Sequence, residues 1–290
     1  MVDEIIITHA DGTVIPLRPD GTGLGLSIDP YVVFDSPLFL SYRKKGSVPP
    51  LRLTLRSNSF LHLVEDTSEA SSSLTVEIGE GASFQYTRLY LGQAETKEAS
   101  FHALVHAGGS LICRTAAAIP VFKSNCFVSL RGEEASASFY GLSFLPPSQT
   151  SHQVLFVDHR APNTSSSQLV KGLAAEGAFG LVESHVRISK EAKASSSRQY
   201  SHFLTFGATA KTVHKPTFEI FTDDVSASHG ATTGMVDDEA LFYLRTRGLS
   251  IQEAQRHIIE GFCEEIVREL PMEIAPILHQ RIDETIGALL

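Results

Sequence analysis

Between residues 51 and 225 the chain keeps returning to one plan: an acidic residue, one or more small residues, then an aromatic. Glu80-Gly81-Ala82-Ser83-Phe84, Glu98-Ala99-Ser100-Phe101, Glu134-Ala135-Ser136-Ala137-Ser138-Phe139 and Glu176-Gly177-Ala178-Phe179 all carry it. The intervals between these segments are uneven, so the repeat is degenerate. Around them lie short runs of period-two alternation. Leu51, Leu53 and Leu55 alternate with Arg52, Thr54 and Arg56, and Leu74, Val76 and Ile78 flank Thr75 and Glu77. Such alternation places one set of side chains on a buried face. Ile5–Ile7, Phe84–Leu91, Phe101–Val105, Phe127–Leu130, Phe139–Phe144, Val154–Val157, Gly180–Ile188 and Thr217–Phe221 are further strand candidates. Repeated strand units with small-residue corners fit a coiled β-solenoid, in which each turn covers the last. A β-sandwich would alternate in the same way. It favours tight two-residue hairpins such as Asn-Gly, and this chain contains no Asn-Gly. Ser165–Ala175 has helical propensity, but Gly172 interrupts it and strands flank it, so it reads as strand and turn.

The pattern changes near residue 235. Asp237 can cap a helix, with Asp238 and Glu239 in its positive first turn, Arg245 and Arg247 at its negative end and Gly248 as a left-handed stop. Ser250-Ile251-Gln252-Glu253 is a capping box for a second helix. Ile251, Ala254, Ile258, Phe262, Ile266 and Leu270 then recur at helical spacing until Pro271, and a last helix is expected from Ile274 to Leu289. The expected organisation is an N-terminal segment (1–50), a β core (51–234) and a C-terminal helical segment (235–290).

Composition excludes several function classes. The formal charge is -9 and the sequence pI about 5.7, which argues against nucleic acid as the main partner, because phosphate binding needs clustered Lys and Arg. The one short basic run, Arg43-Lys44-Lys45, reads as a solvated loop. No apolar run approaches the ~18 residues of a membrane span. The acidic start, Met1-Val2-Asp3-Glu4, has no signal-peptide or transit-peptide pattern. Three scattered cysteines, Cys113, Cys126 and Cys263, form no disulfide framework, so a reducing cytoplasm is expected. Gly21-Thr22-Gly23-Leu24-Gly25 completes no phosphate-binding motif and reads as a plain loop; the chain has no Walker A sequence.

One stretch says more than the rest. Lys215-Pro216 leads through Phe218 and Phe221 to Asp223-Asp224-Val225, then Ser228-His229-Gly230-Ala231-Thr232-Thr233-Gly234, then Asp237-Asp238 and Leu241-Phe242-Tyr243-Leu244-Arg245. With Asp158-His159, Ala161–Ser166 and Gln168-Leu169-Val170-Lys171-Gly172, this collinear set resembles the C-terminal half of the SufB/SufD family, and its SufD branch in particular. The branch is suggested by Gly230 after the histidine, where SufB has Glu, and by Leu244 in the first terminal helix, where SufB reads closer to Cys. The resemblance implies a right-handed parallel β-helix with a C-terminal helical segment. It implies a non-catalytic scaffold subunit that pairs with SufB, binds the SufC ATPase through its C-terminal helices, and shares a transient iron–sulfur cluster. A homodimer in isolation is the alternative pairing. Asp237, Leu241, Leu244, Ile251, Ile258 and Phe262 are the candidate partner-binding residues. Many SufD chains carry a cysteine two residues before the motif histidine; here that residue is Ala227. Relatives also carry an N-terminal helical region for which strands beginning near residue 51 leave little room.

Iron–sulfur clusters are usually held by thiolates, with histidine an occasional ligand. Three scattered thiols, none beside His229, cannot form a four-thiolate site. His229, set among small residues that let another surface approach, is the candidate iron or cluster ligand at the SufB interface. A locally hydrogen-bonded turn histidine is the plainer reading of the same residue. Asp223 and Asp224, and likewise Asp158 and His159, would point to opposite faces if they lie on strands, which makes them poor acid–base pairs. Cys113 and Cys126 read as small core residues and Cys263 as partly buried on a helix. Two alternatives stand. One is a carbohydrate-active β-helix enzyme using Asp223 or Asp224, which would want an aromatic-lined groove. The other is a SufB-like subunit, against which the missing motif cysteine weighs.

Overall fold

The structure, a computed structural model, describes residues 5–19, 23–42, 46–66, 70–90, 97–117, 121–270, 272 and 274–289. Arg43-Lys44-Lys45, Gly21-Thr22, Leu91 and Pro271 lie outside the described residues. The early strands are β1 (Ile5–Thr8), β2 (Val14–Ile15), β3 (Arg18–Pro19), β4 (Leu24–Ile28), β5 (Leu38–Tyr42) and β6 (Gly46–Ser47). Next come β7 (Leu51–Leu55), β8 (Phe60–Asp66), β9 (Ala70–Ile78), β10 (Ser83–Tyr90), β11 (Lys97–Val105), β12 (Ser110–Ala117) and β13 (Val121–Leu130). The series closes with β14 (Ser136–Leu145), β15 (Thr150–His159), β16 (Ser165–Ala174), β17 (Phe179–Ile188), β18 (Ser195–Thr205), β19 (Lys211–Ile220) and β20 (Val225–Gly234). Helices α1 (Asp238–Thr246), α2 (Ile251–Val267) and α3 (Ala275–Leu289) follow.

From β7 onward, successive strands alternate between two sheets, so that β8, β10 and their successors to β20 form one, and β7, β9 and their successors to β19 the other. We call these the even and odd sheets. Every pairing within these runs is parallel. Parallel neighbours need crossovers rather than hairpins, and here each crossover passes through the opposite sheet. The result is a β-solenoid of about seven turns. β4 and β5 extend it toward the N-terminus, pairing in parallel with β7 and β8, and β1 closes on β5 antiparallel. Gly25 therefore lies in a strand, not in the expected loop.

The corners explain the acidic–small–aromatic plan. Asn58, Gly81, Gly108, Glu134, Asn163 and Ala194 all have φ between 55° and 64°. That left-handed conformation suits Gly and, less well, Asn. Each donates its N–H to a carbonyl of the next turn, namely Glu80, Ala107, Glu133, Pro162, Lys193 and Asp224. The side chain after the corner is small and buried, as at Ala82 and Ala135. Glu98-Ala99-Ser100-Phe101 is the exception to the expected plan, because it lies inside β11. The turn length drifts, which hid the repeat: Ser110 Oγ donates to Ser83 Oγ, 27 residues away, while Thr164 meets Ser195 31 residues away.

Two apolar cores result. Inward residues of both sheets, among them Leu53, Val76, Phe84, Phe101, Val128, Val157 and Val186, fill the solenoid. Within it a buried Glu65–Arg88 pair (2.7 Å) takes hydrogen bonds from the Tyr42 and Tyr86 hydroxyls. The second core lies outside the even sheet, where Val64, Leu89, Leu142, Phe144 and Leu173 are covered by Ile259, Cys263, Ile266, Leu278 and Ile282 of α2 and α3. This fixes which face of α2 is buried: Ala254, Ile259, Cys263, Ile266 and Val267. Ile251 and Ile258, from the expected stripe, sit beside that face rather than on it. Lys171 clamps α2 down by donating to the Phe262 carbonyl (2.9 Å), pairing with Glu265 and lying 4.5 Å from the Phe262 ring centre. No helix among the described residues is long and apolar enough to cross a membrane.

Candidate functional site

His229 lies at the end of the solenoid. β20 is the last strand of the even sheet and β19 the last of the odd sheet. In the preceding even strand, Ser195, Ser197, Gln199, Ser201 and Phe203 point inward and are buried. His229 is in register with Gln199, so it too points inward. It is nonetheless exposed, because the described residues supply no further turn above it. Its ring stacks on Phe218, the inward residue of β19, at 5.6 Å between centroids and 16° between planes. A second imidazole lies at the same end. His214 lies 2.6 Å from Ser201 Oγ and 3.1 Å from Thr233 Oγ1, and burial, with the neighbouring His202, holds its pKa below the usual value.

Small neighbours shape this end, as the sequence suggests. A Cβ on Gly230 would meet the Tyr200 ring at 2.9 Å. Ile220, Phe221 and Met235, where β19 and β20 end, are exposed. Among the described residues β20 has a hydrogen-bonded neighbour on one side only, and a free strand edge of this kind accepts another strand.

The other candidate groups fall elsewhere. Asp223 and Asp224 are not on a strand; they form the corner between β19 and β20, where the Asp224 carbonyl accepts the Ala194 N–H at 2.8 Å. Asp158 faces out of the odd sheet and holds Arg160 at 2.5 Å. His159 is fully buried, with Nδ1 2.8 Å from Thr164 Oγ1 and Nε2 2.8 Å from Ser166 Oγ. Burial lowers its pKa to about 4. All three cysteines are free and buried. Burial pushes the Cys126 thiol well up and the Cys263 thiol up to about 12. Cys263, expected to be partly buried, is wholly so. No thiol therefore reaches the solenoid end, and no group of three or more His, Cys, Asp or Glu among the described residues is arranged to hold a metal. One imidazole does not make a cluster site.

An aromatic groove of about 320 Å³ does exist, on the outer face of the odd sheet, lined by His102, Phe127 and Phe156. Asp158 is the one carboxylate lining it, tied to Arg160. Glycoside hydrolysis needs two facing carboxylates, and Asp223 and Asp224 are at a corner elsewhere.

Of the helical candidates, Asp237 caps α1, its side chain accepting the Glu239 N–H at 2.9 Å. The α1 helix buries no residue fully. Leu241 and Leu244 are half-buried, while Phe242, which sequence reasoning passed over, is 69% exposed and Tyr243 is 56% exposed. Ile251 is exposed and Ile258 half-buried. Phe262 is engaged within the chain, edge-on to His202 and against Lys171.

Residues 39–262 match the family described as "SUF system FeS cluster assembly, SufBD core domain". The iron–sulfur cluster assembly protein SufD of Escherichia coli is 30% identical over 150 residues, which are 52% of this chain and 36% of that protein. Iron–sulfur cluster assembly SufBD family proteins of Staphylococcus saprophyticus and Staphylococcus epidermidis are each 33% identical over 158 residues, 54% of this chain and 34% of theirs. The matched segments thus span about a third of the length of these relatives. With more than half of its length matched to that core domain, in a solenoid flanked by terminal helices, this chain belongs to the SufB/SufD family of the Suf iron–sulfur cluster assembly system.

Proposed function

We propose that this chain is a SufD-like, non-catalytic scaffold subunit of a cytoplasmic Suf complex, one that offers His229 as a ligand to an iron–sulfur cluster in assembly. The cluster is cargo. It is held transiently at the boundary with a SufB-type partner, which brings the thiolates that this chain lacks. The observation that carries the reading is the placement of His229: an inward-facing residue left open by the end of the solenoid, beside an unpaired strand edge. A neutral imidazole suits iron, and a partner solenoid docking on that edge would close the last turn over it. A homodimer through the same edge is the expected state when the partner is missing. The exposed face of α1 and the start of α2, with Phe242, Tyr243 and Ile251, is the proposed docking surface for a SufC-type ATPase.

The test is reconstitution of the complex from this chain, a SufB-type subunit and a SufC-type ATPase, with His229→Ala in parallel. Cluster yield should fall at least tenfold while the circular dichroism and melting temperature of the variant stay those of the parent. Undiminished assembly by the variant would remove His229 from the site.

A further inference from the structure

We infer that Gln199 is the positioning residue of His229: its side-chain amide accepts the N–H of the imidazole and so decides which ring nitrogen is left free for iron. The inference rests on the reading of His229 as a ligand. In the even sheet, Phe139, Gln168, Gln199 and His229 occupy one inward column on successive strands. Gln168 and Gln199 are 1% and 2% exposed, and neither amide has a hydrogen-bond partner on its oxygen or its nitrogen among the described residues. Each unsatisfied buried polar group costs about 1–3 kcal/mol, so a pair of adjacent orphaned amides calls for a partner. The hydroxyls two residues away on either side are each engaged elsewhere, Ser197 with Ser166 at 2.8 Å and Ser201 with His214 at 2.6 Å. His229 is the next polar group along the column. Parallel strands lie roughly 4.8 Å apart, within the swing of a glutamine side chain.

The Phe218 stack fixes the plane of the His229 ring and leaves its edges available. A neutral imidazole has one N–H and one lone pair. When a metal takes the lone pair, the other nitrogen needs an acceptor, and that acceptor sets tautomer and orientation. Gln199 Oε1 can serve, with its amide N–H directed down the column to Gln168, as in the amide ladders of stacked strands.

The experiment uses the full chain labelled with 15N-histidine, at a fixed alkaline pH. Long-range proton–nitrogen correlation reads the tautomer of His229. One tautomer should dominate in the parent and in Gln199→Glu, which keeps an acceptor at the same reach. In Gln199→Met the separation between the two ring-nitrogen shifts should collapse toward that of a mixture. Gln168→Met, equally buried one strand deeper, should leave the tautomer unchanged. A parent tautomer ratio retained in Gln199→Met would overturn the inference; if that variant fails to fold, a switch to the opposite tautomer in Gln199→Glu would do so. The two readings fail separately. A tautomer set by Gln199 together with normal assembly by His229→Ala would end the ligand role and leave the pairing, and the reverse pattern would end the pairing alone.

Discussion

Acid should loosen this solenoid through His159. The ring is fully buried and bonded at both nitrogens, to Thr164 and Ser166. Thr164 Oγ1 spends its own hydrogen on the Ala161 carbonyl, 3.0 Å away, so toward His159 it accepts. That assigns the proton to Nδ1 and leaves Nε2 to accept from Ser166. A second proton would put a charge into the interior, which is why burial holds the pKa at about 4 against 6.5 for a free imidazole. The unfolded chain takes that proton and the folded chain refuses it. Stability from this group is therefore full above pH 6.5 and is lost as pH falls toward 4. The total loss is about 3 kcal/mol, of which roughly 2 kcal/mol has gone by pH 5. The assay is urea unfolding at pH 7.5 and pH 5.0 for the parent and for His159→Gln, which keeps hydrogen-bonding groups but does not titrate. The other histidines cancel in the comparison. The parent should lose about 2 kcal/mol more than the variant between the two pH values. Equal losses would refute the reasoning.

Gly172→Ala should destabilise the chain by about 2 kcal/mol, because a Cβ there would lie 2.1 Å from the Phe203 ring. Melting should drop by roughly 5 °C, and an unchanged melting temperature would show that Phe203 gives way freely. Phe242→Ser with Tyr243→Ser should weaken pull-down of a SufC-type ATPase at least tenfold without changing the fold, since α1 buries neither residue. These surface variants are a cleaner test than removing residues 236–290, which would strip the cover from Val64, Leu89, Leu142 and Phe144. Undiminished capture of the ATPase by the double variant would move its docking site away from α1.

The features legible in the sequence were the local ones. Period-two apolar strands, the Asp237 cap, the Ser250 capping box and the Gly248 stop each depend on residues within one turn or one strand, and each is present. β18 and β20 gave no such signal. Their inward positions hold Ser195, Ser197, Gln199, Ser201 and His229 rather than aliphatics, so an apolar alternation cannot reveal them. Asp223 and Asp224 resembled the end of a strand because a corner of this solenoid is defined by a hydrogen bond to the previous turn, which is a long-range property. The buried face of α2 likewise depends on where the even sheet lies beneath it, which helical spacing alone leaves several residues uncertain. For the site, the motif around His229 was readable. Its contacts with Phe218 and its register with Gln199 were not, because they follow from a turn length that drifts along the chain.

Amide hydrogen exchange of the whole chain, measured alone and after mixing with a SufB-type subunit, bears most directly on the central claim. Protection should rise in residues 211–234, the last two strands, and above all around His229. Protection gained elsewhere, with 211–234 exchanging as in the free chain, would contradict a boundary built on the open end of the solenoid.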